Sequence, residues 1–182
     1  MIGNWFHKNS AGIGTFMRVA FGIVWLIDGF FKFQPGEASA FLQTMQTVVV
    51  GQPAWLGPWF SFWAGMITQN VAFFVAMIGT CEVLLGLALV FGFMRKVVYG
   101  LGALLSLSIW AIPEGFGGPY GPGSTDIGTA IIYVFVFAAL MVIAASQGPD
   151  KNSFDHWLEK RVGWWAKIAE FGWTPASEPL KK

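Results

Sequence analysis

RVAFGIVWLIDGFFKF, residues 18–33, has the length and apolar content of a membrane span, yet it carries three residues that a plain span lacks. Arg18 opens it, Asp28 stands two-thirds of the way along, and Lys32 follows one helical turn later. On insertion scales an ionisable side chain in hydrocarbon costs about 2.5–3.5 kcal/mol, so each of the three marks a position that is packed or functional. The rest of the chain has the same character. Of 182 residues 55% are hydrophobic, 17% aromatic and only 12% charged, against roughly 25% charged in a soluble domain. With a mean hydropathy of +0.58 this composition is that of an integral membrane protein, with the lipid bilayer as its first partner.

Composition also narrows the chemistry. A net charge of +1 with no extended basic patch argues against nucleic acid as a partner. The single cysteine, Cys81, allows no internal disulfide and no cysteine-cluster metal site. His7 and His156 lie outside the apolar runs, which argues against a bis-histidine haem within one chain, and no metal or nucleotide fingerprint is evident. The opening MIGNWFHKNS has neither an apolar signal core nor a cleavage site, so the first span is expected to be its own insertion signal.

Four apolar stretches, at about 11–33, 70–93, 96–113 and 126–146, can each cross about 30 Å of hydrocarbon as a helix. The predicted fold is therefore an all-α four-helix membrane bundle over residues 1–150, followed by a cytoplasmic segment at 151–182. Lys8, Arg95, Lys96 and the bases after the fourth span all fall on one side, whereas the loops 34–69 and 114–125 contain no Lys or Arg. That asymmetry predicts cytoplasmic N- and C-termini and two outward loops. In the first loop, SAFLQTMQTVVV reads as a short amphipathic segment, and Trp55, Trp59 and Trp63 form a one-sided aromatic stripe. The stripe suits the headgroup layer, with ligand stacking as the alternative. After the fourth span, SFDHWLEKRVGWWAKIAEFGW reads as an interfacial amphipathic helix with snorkelling bases.

Counting depth from the span ends at 1.5 Å per residue puts Arg18 and Glu82 at one level, which predicts a buried Arg18–Glu82 pair with a structural role. A second group gathers towards the outer face. Asp28 and Lys32 share one stripe at i, i+4, Glu114 closes the third span, and Asp126 opens the fourth as a cap. Trp110 lies one turn inward of Glu114, and Tyr120 sits in the glycine-rich loop. Mixed charges beside aromatics suit a small polar ligand or a quinone headgroup entering from the bilayer; the alternative is a salt-bridged rim with a helix cap. Asp28, below the rim and next to a lysine, is the better candidate for moving protons. Cys81 diverges by about 100° from Glu82 on a helix and reads as apolar filler.

The order of features resembles the DoxX-like superfamily of small membrane proteins, most closely the DoxD-type small subunit of thiosulfate:quinone oxidoreductase. The similar segments are MRVAFGIVWLIDGFFKF, with its Gly29-x-x-Lys32, and CEVLLGLALVFGFMRK, with Glu82-x-x-x-Gly86 leading to Gly92-x-x-Arg95. GGPYGPGSTDIGTAIIYVFVFAAL and QGPDKNSFDHWLEKR, with Ser153-x-Asp155, complete the series, which spans residues 11–161. Asp28 departs from the pattern, in which a small apolar residue precedes the Gly29–Lys32 motif. The resemblance implies a multi-pass subunit of a prokaryotic cytoplasmic membrane that oxidises thiosulfate and reduces a quinone, with a partner subunit. It carries over Arg18, Lys32, Glu82 and Asp126, supported by Trp110 and Tyr120. The mechanism consistent with it has thiosulfate drawn to Lys32, and Asp28 or Asp126 relaying protons to the quinone. A second reading is a non-catalytic accessory subunit of a larger respiratory or photosynthetic complex; a third, a small transporter, lacks an inverted repeat or broken helix.

Overall fold

The computed structural model describes residues 2–121, 124 and 126–172, with side chains from Asn9 onward. Among these residues the chain is helical and contains no strand. The long helices are α1 (Ile2–Phe31), α4 (Val71–Phe91), α5 (Arg95–Ala111) and α6 (Thr129–Gln147). Between α1 and α4 the first loop folds into α2 (Glu37–Thr47) and α3 (Gly57–Ile67). After α6 come two short helices, α7 (Phe154–Glu159) and α8 (Ala166–Ala169).

Local chemistry sets the limits of α4. Asn70 accepts a hydrogen bond from the Phe73 N–H at 3.2 Å and caps its start. Gly92, at φ 66°, ends it in the left-handed conformation that glycine adopts without a Cβ penalty. Along α1 the inward residues are Arg18, Phe21, Trp25 and Asp28, continued by Lys32 just past its end. Along α4 they are Val75, Gly79, Glu82, Gly86 and Leu89, and along α6 Ala130, Tyr133, Phe137, Leu140 and Ala144. Spacings of three and four keep each stripe on one side of its helix, as in other helical bundles. The stripes meet in a core where Phe21 lies edge-on to Phe137 at 4.9 Å and to Tyr133 at 5.2 Å.

The tightest contact is between α1 and α4. A Cβ at Gly22 would lie 2.9 Å from the Val90 nitrogen, one at Gly29 2.9 Å from the Val83 nitrogen, and one at Gly86 2.9 Å from the Gly22 oxygen. Small residues let the two backbones touch, the usual device where lipid gives no hydrophobic drive between helices. That seam fixes the register: Gly22 faces Leu89–Val90, and Gly29 faces Val83. Across the bundle, the Phe137 ring fills the space beside Gly102 between α5 and α6.

Three helical stretches, Asn9–Phe31, Val71–Phe91 and Thr129–Gln147, are long and apolar enough to cross a membrane among the described residues. The third predicted span forms a helix of 17 residues that stops at Ala111, about 26 Å of rise. The fourth begins at Thr129, not Asp126.

Two further expectations are revised. The first loop lies over one end of the bundle and is not only a headgroup belt. Met45 and Phe60 are each 1% exposed, the Trp59 indole donates to the Ala111 carbonyl at 2.9 Å, and Gln52 donates to the Gly115 carbonyl at 2.9 Å. The segment after α6 is not one continuous amphipathic helix, because Asp155 turns inward and is fully buried. The tail 173–182, with its two terminal lysines, and the side chains of His7 and Lys8 lie outside the described residues.

Candidate functional site

The bundle has two charged ends. At the α4–α5 turn, Arg18 is 1% exposed and its guanidinium reaches four oxygens. It donates to the carbonyls of Leu89 and, at 3.0 Å, Val90, to the Asn152 carbonyl at 3.3 Å, and to Asp150 Oδ2 at 3.3 Å. Arg18 thus caps the C-terminus of α4, where the carbonyls lack helical partners and the dipole favours a cation. The predicted Arg18–Glu82 pair is not formed. Glu82 lies about 10 Å further along α4 from the carbonyls that Arg18 reaches. Two physical reasons account for the difference. The glycine seam, not flush span ends, sets the register. A helical side chain also leans towards the N-terminus of its own helix, which carries Arg18 away from Glu82.

Beside Arg18, Asp155 accepts from the backbone N–H groups of Met94 at 2.7 Å and Arg95 at 3.0 Å, and from the Trp165 indole at 2.8 Å. It therefore caps α5 from across the fold, while Arg95 Nε approaches Asp155 Oδ2 at 3.4 Å and the Arg95 guanidinium also binds Glu170. Burial pushes the Glu170 carboxyl up to about 7, against the pull of Arg95 and with the Glu159 carboxyl adding to the rise. Three of the sequence segments singled out above, Arg18, Gly92-x-x-Arg95 and Ser153-x-Asp155, meet here. Their contacts are with one another and with the backbone, which is structural work.

At the opposite end, Asp28 and Lys32 are not paired with each other. Lys32 Nζ lies 3.3 Å from Glu37 Oε1 on the first turn of α2, and the Tyr133 hydroxyl donates to Asp28 Oδ2 at 3.3 Å. Glu82 is 3% exposed and its Oε2 has no hydrogen-bond partner; Lys32, Asp28 and Glu37 are the charges that act on it. Asp28, Lys32 and Glu82 thus come together, joined by two residues the sequence reading missed. Tyr133 could have been found as the single polar-tipped side chain on the inward stripe of α6, and Glu37 as the acid nearest the end of the first span.

The loop after α5 closes over this end. Glu114 accepts from the Ala130 N–H at 3.1 Å and caps α6, and the Trp110 indole donates to the Ile127 carbonyl at 2.7 Å. Burial pushes the Glu114 carboxyl up, opposed by the hydrogen bonds from Ala130 and Thr129. The Glu114 charge also reaches Tyr133, which links the loop to the interior group. Asp126 is not the cap of α6; it is exposed, and its Oδ1 accepts from the Gly128 N–H at 2.7 Å in a local turn. Tyr120 is 65% exposed and its hydroxyl donates to the Phe116 carbonyl. Neither is brought to the interior group. Cys81 is exposed on an apolar groove of about 870 Å³ between α4 and α5, lined also by Leu84, Ala88, Phe91, Leu101 and Phe154.

The arrangement places four carboxyl groups, one ammonium and one phenol around the end of an apolar bundle. Such a group can hold and pass protons, and its acid-rich balance disfavours an anion. No three His, Cys, Asp or Glu side chains among the described residues are grouped as a metal site. Compared with family models, with curated proteins and with solved structures, the chain finds no match.

Proposed function

We propose that the chain is a four-span subunit of a prokaryotic cytoplasmic membrane, with both termini inside, and that its Asp28–Tyr133 end supplies protons to a membrane quinone. In this reading α5 also crosses, as the third of four spans, and the lysine-free loops support an outward Asp28 end. The observation that carries the reading is the Tyr133–Asp28 hydrogen bond together with the unpartnered Glu82 oxygen: convergent polar groups, otherwise costly in a membrane, at one end of an apolar bundle.

The resemblance to the DoxD-type subunit supplies the redox partner. Two thiosulfates yield tetrathionate and two electrons, and the quinone takes those electrons with two protons to become quinol. The pairing of Lys32 with Glu37, among further carboxyl groups, supports placing the thiosulfate step on a partner subunit and not at Lys32. A neutral quinone suits the acid-rich end better than a dianion does. Photolabelling of the purified chain with an azidoquinone tests this assignment. Labelled peptides should map near Asp28, Trp110 and Tyr133; labelling spread over the lipid-facing surface would remove the site.

A specific observation also favours the accessory-subunit reading. The apolar groove of about 870 Å³ between α4 and α5 offers an apolar surface to a neighbouring helix or a pigment tail. Under that reading the chain co-purifies at fixed stoichiometry with a larger electron-transfer or light-harvesting complex, and carries no quinone of its own.

A further inference from the structure

Glu82 is the one inward carboxyl of α4, and its surroundings do not explain it as a fixed ion pair. An ionised oxygen left without a partner in a low-dielectric interior is among the costliest arrangements a protein can hold. The groups facing it are Asp28 from α1, Lys32 just past its end, Glu37 from α2 and Tyr133 from α6. Asp28 is already engaged by the Tyr133 hydroxyl, and among the described residues Lys32 is the cation that acts on both Glu37 and Glu82.

The position of Lys32 makes sharing practicable. Its stem crosses α4 directly over Gly79, where an added Cβ would stand 2.6 Å from the Lys32 Cβ. Gly79 and Glu82 are one turn apart on the same stripe of α4, so the flexible four-carbon stem is anchored within reach of both acids. Lys32 rests on Glu37 while Glu82 Oε2 stands unpaired, which is the arrangement that fits a neutral Glu82.

We propose that Glu82 binds and releases a proton, and that Lys32 shifts between Glu37 and Glu82 as it does so. When the carboxylic acid of Glu82 gives up its proton, the ammonium of Lys32 leaves Glu37 and neutralises the new carboxylate. When a proton returns, Lys32 goes back to Glu37. This rests on reading the Asp28 end as proton-handling, and it assigns one of the two protons of quinone reduction to a named residue.

The test is infrared spectroscopy of the full chain in lipid nanodiscs without added quinone, titrated across neutral pH. A carboxylic C=O band should vanish as pH rises, be missing from Glu82→Gln, and have its midpoint moved by about one pH unit in Lys32→Met. Size-exclusion profiles and thermal midpoints of the variants establish that they are folded. A band unchanged in folded Glu82→Gln, or a midpoint unmoved in folded Lys32→Met, overturns the proposal. Quinone extracted from the same preparations separates the two claims. A Glu82 band in protein that holds no quinone supports the proton site and removes the quinone; quinone held with no Glu82 band does the reverse.

Discussion

Where α4 turns into α5, Arg18 meets Asp150 and Arg95 meets Asp155 and Glu170, and the remaining contacts cap helix ends. Where α1 ends, one lysine stands among Asp28, Glu37 and Glu82, and a buried carboxyl oxygen has no partner. Both ends hold ionisable groups at depth, and each leaves a buried carboxyl oxygen without a partner, Glu170 Oε2 at the first and Glu82 Oε2 at the second; the difference is that every guanidinium of the first has a carboxylate, whereas Glu82 at the second has no ion pair of its own. Buried charge that is matched by geometry serves register and capping. Buried charge in excess is costly to the fold and is retained where something titrates or binds.

The sharpest way to break this contrast is to remove one charge at each end. Arg18→Met strands Asp150 and uncaps α4, and should cost about 3–5 kcal/mol in thermal or denaturant unfolding of the detergent-solubilised protein. Glu82→Gln, which replaces an unpartnered carboxyl by a neutral group of the same shape, should change stability by no more than about 1 kcal/mol. Equal losses from both variants would mean that the two ends are alike.

The register can be broken next. Gly86→Val pushes a side chain into the α1 backbone at Gly22 and Leu26, and overpacking of this kind costs about 1–3 kcal/mol. The same readout should show Gly100→Val, where an added Cβ meets nothing within 4 Å, to be far milder.

The matched end should respond to pH through Glu170. Its folded carboxyl holds its proton up to about 7, whereas the free side chain loses it near 4.5. The folded state therefore binds more protons than the unfolded state in that window, and the stability contributed by this group falls as pH rises from 4.5 to about 7. Thermal midpoints followed by tryptophan fluorescence should record that fall, and Glu170→Gln should flatten it. The smallest effect is expected at Asp126. Asp126→Ala removes an exposed turn contact to the Gly128 N–H and should cost about 1 kcal/mol or less, with no change in quinone binding.

The comparison also explains what the sequence could and could not convey. Long apolar runs and their basic flanks are one-dimensional signals, and the apolar stretches Asn9–Phe31, Val71–Phe91 and Thr129–Gln147 follow them to within a few residues, although α1 itself starts earlier, at Ile2. Asp28 and Lys32 were visible because charge inside an apolar run is visible. Their partners were not, since the contacts of Asp28 with Tyr133 and of Lys32 with Glu37 depend on how α6 and α2 lie against α1. The misplaced Arg18–Glu82 pair has the same origin. Depth counted from span ends ignores the Gly22–Leu89 and Gly29–Val83 contacts that slide α4 along α1. Asp155 was hidden in a segment that reads as surface, although Ser153-x-Asp155 and Gly92-x-x-Arg95 were both legible as motifs on one side of the membrane.

The most direct measurement is the quinone content of the chain purified in mild detergent from its native membrane, compared between the wild type and an Asp28→Asn, Tyr133→Phe double variant. The account predicts about one quinone per chain in the wild type, and its loss from a double variant that remains folded. Quinone absent from the wild type, or retained equally by the double variant, would contradict it.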